Sequence, residues 1–271
     1  MGAGIAEVIA AAGVAITLID QDEAVLEGAV SRISANLNRA VDRGRMLQDE
    51  ADVAISVIDT DTALDAASDS DLVIEAVPEQ LELKVGIFRQ LDEICGPTTI
   101  LASNTSSISI TELGRHTSRP ERVIGMHFFN PVPVLPLVEV VRAIGTSEET
   151  VARAREFAEG IGKTPIVCED RPGFIVNRLL IPYLNDAVHA LSEGVASAEE
   201  IDNAMRLGAN IPMGPLALAD LVGLDVTLAA AETLYREFGD PKYRVAPLLR
   251  QLVRAGRLGR KTGEGFFTYG E

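Results

Sequence analysis

The sequence has no tryptophan, two cysteines, three histidines and only four lysines (Lys84, Lys163, Lys242 and Lys261) among its 24 basic residues. Each scarcity narrows the reading. Cys95 and Cys168 have no metal-type spacing around them, so they read as reduced, buried and structural, as expected in a cytoplasmic protein; no metal site is expected. No run reaches the ~18 consecutive apolar residues that a spanning helix needs, and no basic stretch precedes an apolar one at the start, which excludes membrane insertion and a signal peptide from the expectations. Positive charge is also short. Against 24 Lys and Arg stand 40 Asp and Glu, a formal net charge of -16. So acidic a surface repels a phosphate backbone and argues against nucleic-acid partners. With 13 Pro and 23 Gly in 271 residues the chain is too poor in both for linker or collagen-like sequence. At 47% hydrophobic residues it can bury a sizeable core, as one large domain or two modest ones.

What is present is periodic. Short β-rich runs at Val14–Asp20, Leu72–Val77, Thr98–Ser103, Val123–Phe128, Leu137–Val141 and Thr164–Val167 alternate with amphipathic stretches at Glu23–Arg43, Leu81–Ile94 and Glu148–Gly160. Strands alternating with helices predict an α/β, Rossmann-type, mostly parallel sheet with right-handed crossovers. The pattern changes after Asp170-Arg171-Pro172-Gly173. From there only helical periodicity remains: one stretch from Phe174 to Asn185, then Ala198–Leu207, Leu216–Leu221, Val226–Phe238 and Pro247–Arg254. The predicted organisation is an N-terminal dinucleotide-type domain over residues 1–169 and an all-helical C-terminal domain over 170–271.

The opening carries part of a dinucleotide fingerprint. Gly2 starts an apolar helix, and Asp20 follows 18 residues later at the end of a strand. That spacing fits Gly2 as the third glycine of G-x-G-x-x-G, with Asp20 as the acid that takes the adenosine ribose hydroxyls. Reading Gly2 and Gly4 as the first pair fails, because Glu7 then occupies the third position. The first strand and two glycines of the pattern are therefore expected about a dozen residues upstream of Met1. Without that strand, at a spacing of ~4.8 Å per strand, a gap of about 10 Å is expected in the middle of the sheet. Asp20 beside the neutral Gln21 favours NAD over NADP, since a carboxylate there repels a 2′-phosphate.

Two later stretches carry the chemistry. Leu101 to Ser107 packs Ser103, Asn104, Thr105, Ser106 and Ser107 at the end of a strand, where open α/β sheets bind ligands. His127 ends another strand, followed by Asn130-Pro131, and Glu139 sits inside the apolar run Leu137–Val141. A carboxylate buried there needs a partner, and an imidazole is a natural one. Simpler readings exist for each. A lone strand histidine is commonly a packing residue, Ser106 and Ser107 could cap a helix at 108–113, and Asn177 could be a satisfied polar group in its helix. Gly259-Arg260-Lys261-Thr262-Gly263 lacks phosphate-loop spacing and reads as a C-terminal turn near a dimer or domain interface.

These motifs, with Pro172–Arg178, Pro212–Pro215 and Gly259–Phe266 in the same order, resemble the 3-hydroxyacyl-CoA dehydrogenase family, in particular its small bacterial 3-hydroxybutyryl-CoA members, from Gly2 to Tyr269. The resemblance implies an NAD-dependent oxidation of (3S)-3-hydroxyacyl-CoA, and the reverse, in a cytoplasmic homodimer joined through the helical domain. It implies His127 as catalytic base, Glu139 as its orienting carboxylate, and Ser106 and Asn177 as the groups that bind the reacting oxygen. Gly2, Asp20, Gln21, Glu79, Lys84, Asn104, Ser106 and Asn130 match positions around NAD. Acyl-CoA contacts would fall at Asn36 and Arg43. The alternatives are a related dehydrogenase of free hydroxy acids (the L-gulonate or carnitine type) and a catalytically impaired acyl-CoA-binding or dimerising module.

Overall fold

A computed structural model describes residues 1–270. It divides into two compact units, Met1–Arg171 and Pro172–Glu271.

In the first unit, helix α1 (Gly2–Ala11) leads into strand β1 (Ile16–Ile19), and α2 (Glu23–Asp42) and α3 (Gln48–Ser56) precede β2 (Ile58–Asp61). There follow β3 (Leu72–Glu75), α4 (Leu81–Ile94), β4 (Ile100–Ser103), α5 (Ile110–Gly114), β5 (Val123–Phe128), β6 (Leu137–Arg142), α6 (Glu148–Gly160) and β7 (Thr164–Glu169). The strands form two ladders. One holds β1 and β2 in parallel, with Ile16 opposite Ile58; the other has the order β3-β4-β5-β6-β7, parallel except for the antiparallel pair β5–β6.

No ladder joins β1 to β3 among the described residues. The sheet is interrupted between these two strands. The effect shows in burial: every residue of β4 and β5 is buried, whereas the apolar residues of β1 and Leu72, Val73 and Ile74 of β3 are only half-buried. Helix α1 bridges the two parts. Its Ile5 and Ile9 pack with Ile100, Ile124, Met126 and Val138 from the larger sheet, and its Ala6 and Ala10 pack with Ile33 and Leu37 of α2.

Two elements were not predicted. Strand β2 reads Ile-Asp-Thr-Asp, with one apolar residue and therefore no alternation to detect. Helix α3 buries only Ala51 and Ala54, too little for an apolar stripe to show. Ser106 and Ser107 do not cap a helix either. The cap of α5 is Ser109, whose hydroxyl accepts from the Glu112 amide.

The second unit is helical: α7 (Val176–Ser192), α8 (Ala198–Gly208), α9 (Pro215–Val222), α10 (Leu224–Phe238) and α11 (Pro247–Arg254). Leu184, Val188, Leu216, Ala219, Leu224 and Leu249 form its core. Buried Asp220 on α9 accepts from the Phe266 and Phe267 amides and the Tyr269 hydroxyl, each at 3.0 Å. A Cβ on Gly265 would lie 2.0 Å from the Asp220 carboxylate, and one on Gly259 2.3 Å from its carbonyl oxygen. The glycines of this C-terminal motif thus serve a backbone clasp on α9. No helix of the described residues is long and apolar enough to cross a membrane.

Candidate active site

The parallel strands of the first unit aim their carboxyl ends toward one edge, and the polar residues of the sequence collect there. Asp20 follows β1 directly, and its carboxylate accepts from the Asp22 amide at 3.1 Å. Gln21 beside it is exposed. Gly2 opens α1 without a side-chain cap and sits closest to Ala76, the residue after β3. An uncapped helix start leaves amide donors for an anion, and a carboxylate at a strand end suits a ribose diol. These residues fit a dinucleotide.

Beyond β3 and β4 lies a buried polar chain. The Ser103 hydroxyl donates to Glu75 Oε2 at 2.7 Å, while Glu75 Oε1 takes the Lys84 ammonium at 2.7 Å and the Val77 amide at 2.7 Å. Lys84 is only 1% exposed and also reaches Glu79 Oε2 at 3.4 Å. Glu79 Oε1 in turn gathers the Thr105 hydroxyl, the Ser106 amide at 2.9 Å, and the amide and hydroxyl of Ser107 at 3.0 and 2.9 Å. Burial pushes the Glu79 carboxyl up, but these donors and the Lys84 charge outweigh it and hold its pKa below the ordinary range. Lys84 therefore faces two carboxylates inside the fold, and Glu79 pins the loop that carries Ser106.

Asn104 has a different task. Its amide donates to the Glu75 carbonyl and its side-chain oxygen accepts from the Phe128 amide at 2.9 Å, tying the end of β4 to the end of β5. One residue before Phe128, His127 stands directly opposite Glu139 in the antiparallel β5–β6 pair. The His127 Nδ1–H donates to Glu139 Oε2 at 2.7 Å, with Glu139 fully buried and His127 6% exposed. Both side chains point to the same face because directly opposed residues of a ladder share a face. The Phe129 ring lies 4.4 Å from the imidazole, centroid to centroid.

A cavity of about 400 Å³ opens between α1, α2 and the segment after β5, lined among others by Glu7, Arg32, Asn36, Arg39, Arg43 and Asn130. Positions 32, 36, 39 and 43 recur at helical spacing, so one stripe running from α2 into its C-cap faces the space. Together with Arg45 these arginines make a basic pocket on a chain of net charge -16. Asn36 Nδ2 donates to Glu7 Oε2 at 2.8 Å. The structure thus groups Asn130 with Asn36 and Arg43, while Asn177 lies in the second unit as the second residue of α7.

Sequence reasoning missed Glu75, Glu7, Arg32, Arg39 and Arg45. The signal for Glu75 was available: an acid ending an apolar strand, as at Asp20. The arginines had only their helical spacing to mark them.

Residues 1–171 match the family model described as the 3-hydroxyacyl-CoA dehydrogenase NAD-binding domain, and residues 173–269 match that family's C-terminal domain. The chain is 48% identical over its full length to a probable 3-hydroxybutyryl-CoA dehydrogenase of Bacillus subtilis, covering 94% of that protein. It is 44% identical to the human mitochondrial hydroxyacyl-coenzyme A dehydrogenase, covering 99% of this chain and 88% of the human one. Its fold superposes on the crystal structure of the (S)-3-hydroxybutyryl-CoA dehydrogenase PaaH1 from Ralstonia eutropha with a TM-score of 0.98 at 48% identity, over 100% of this chain and 96% of the other. The chain belongs to the 3-hydroxyacyl-CoA dehydrogenase family.

Proposed function

We propose that the chain catalyses the NAD-dependent interconversion of a short (3S)-3-hydroxyacyl-CoA and its 3-oxoacyl-CoA, with His127 as the proton-transferring group. The buried His127–Glu139 pair carries this reading. With Nδ1 engaged by Glu139, exchange with a substrate oxygen falls to Nε2, and the carboxylate stabilises the imidazolium that forms when the alcohol proton arrives. In the reverse direction the same nitrogen returns the proton to the ketone oxygen. Ser106, held by Glu79, donates a hydrogen bond to that oxygen. NAD, when bound at the strand ends near Gly2 and Asp20, supplies the hydride acceptor. The arginine-lined cavity offers Asn36 and Arg43 to the polyanionic end of coenzyme A.

A homodimer in the cytoplasm completes the reading. Leu179, Val195 and Leu207 of the helical unit are 70%, 70% and 86% exposed, and burying such side chains against a second copy would be favourable.

The decisive assay follows NADH loss with acetoacetyl-CoA and with free acetoacetate. Turnover of the thioester alone is expected, and His127→Asn should lower kcat by about 10²–10⁴-fold. Preference for the free acid, or an active His127→Asn enzyme, would overturn the proposal.

A further inference from the structure

We propose that Lys163 is a positioning residue for acyl-CoA binding, fixing from behind the segment 130–136 that walls the arginine-lined cavity. The inference rests on reading that cavity as the coenzyme A site.

Lys163 immediately precedes β7 and is 8% exposed. Its Nζ donates to the carbonyl oxygens of Val132 and, at 3.0 Å, Leu135. No carboxylate pairs with it among the described residues, and burial alone pushes its pKa down. A buried ammonium without a counter-ion is costly, so its placement calls for a compensating task. The two carbonyls it holds flank Pro133 and Val134, and Pro131, Pro133 and Pro136 deprive the segment of three backbone donors. Internal ties are few: the amides of Val134 and Leu135 both donate to the Pro131 carbonyl at 3.0 Å. Beside the Thr164 amide, which donates to the Pro136 carbonyl at 2.8 Å, the charged donor is the tie that reaches the middle of this segment from the sheet.

Residues 130–134 face the cavity, whereas Lys163 is not among its lining residues. Any effect on a ligand must pass through the segment. On the other side Val132, 2% exposed, packs against α1, where a Cβ on Gly4 would lie 3.3 Å from it. Lys163 and α1 thus both hold the segment that walls the pocket. The same segment joins β5 to β6, but His127 and Glu139 are held in register by the ladder itself. Loosening the segment should spoil binding of the thioester while leaving proton transfer intact.

The test is steady-state reduction of acetoacetyl-CoA by NADH in Lys163→Met and, as a control on the cavity reading, Arg43→Ala. For Lys163→Met the KM for acetoacetyl-CoA should rise about tenfold, equivalent to ~1.4 kcal/mol of binding. The KM for NADH should not change, and kcat should stay within about threefold. Amide exchange at Val134 and Leu135 should quicken while that of Met126 to Phe128 does not. Lys163→Gln, which keeps a donor but cannot span both carbonyls, should fall between the two and serves if the methionine variant does not fold. If Arg43→Ala raises KM and neither Lys163 variant does, the role of Lys163 is refuted and the cavity reading stands. If none raises it, both fall. A drop in kcat at constant KM would also refute the inference.

Discussion

Replacing Lys84 with methionine keeps the volume of the side chain and deletes its charge, which isolates the electrostatic role of the buried chain behind Ser106. In the wild type the ammonium sits 2.7 Å from Glu75 and 3.4 Å from Glu79, with both the Lys84 and Glu75 side chains 1% exposed. Among the described residues the variant leaves Glu75 as a buried carboxylate supported by the Val77 amide and the Ser103 hydroxyl alone. Breaking a buried pair from one side costs ~3–5 kcal/mol, a large part of the ~5–15 kcal/mol that holds a typical domain together. Adding Glu75→Gln removes the stranded charge, so the double variant should recover most of that loss. Urea unfolding followed by far-UV circular dichroism measures both, since the chain has no tryptophan to report. Because Lys84 also anchors Glu79, the single variant should in addition raise the KM for NADH as the Thr105–Ser107 loop loosens. A single variant that loses less than ~1 kcal/mol, or a double variant no more stable than the single, would refute this account of the pair.

Two further outcomes follow from shifted titrations. Burial, only partly offset by Asn36 and Arg39, raises the Glu7 carboxyl pKa in the folded state. The folded chain therefore binds that proton more tightly, and stability falls as pH rises through the unfolded value near ~4.3 and up to the folded one. Glu7→Gln should then be more stable than wild type at pH 7, with the advantage fading below pH ~4, and should lower the KM for acetoacetyl-CoA by removing a negative charge from the arginine-lined cavity. Equal stability of the two proteins across urea titrations at several pH values would contradict this. The Cys168 thiol is pushed up to about 12 by burial first and then by the carboxylates of Glu139, Glu169 and Asp170. Folded protein should resist iodoacetamide at pH 8 at this residue, whereas urea-unfolded protein should label; stoichiometric labelling of Cys168 in the folded state would refute it.

How far the sequence could be read depended on whether a feature is written in one stretch of chain. Helices α4, α6 and α11 begin and end where their periodicity does, because the apolar positions that each buries lie within one segment. Strand β5 and its neighbour β6 were legible for the same reason, and Glu139 stood out as the one acid inside an apolar run. Strand β2 was invisible because its position is fixed by pairing with β1 and not by its own four residues. The arginine-lined cavity was partly legible. Asn36 and Arg43 came from a resemblance, but their alliance with Glu7 and residues 130–134 joins segments far apart in the chain.

The roles of charged residues were least legible, since a charge is identical in sequence whether it meets solvent, a ligand or a counter-ion. Lys84 shows this. The family resemblance places it near the cofactor, and the fold adds that it is a counter-ion to the buried Glu75 and to Glu79. Lys163 is the converse, a cation whose partners are carbonyl oxygens made available by a proline-rich segment. In both cases the lysine matters to the site through the loop it restrains. Such effects travel through hydrogen bonds to Ser106 in one case and to the cavity wall in the other, so substitutions at the two lysines should divide cleanly. Lys84 should act on the KM for NADH and, through Ser106, on kcat, and Lys163 on the KM for the thioester. Measuring the KM of both substrates in both variants therefore tests whether the two halves of the site are restrained independently; parallel changes in the two constants would mean that a single loosening of the sheet underlies both.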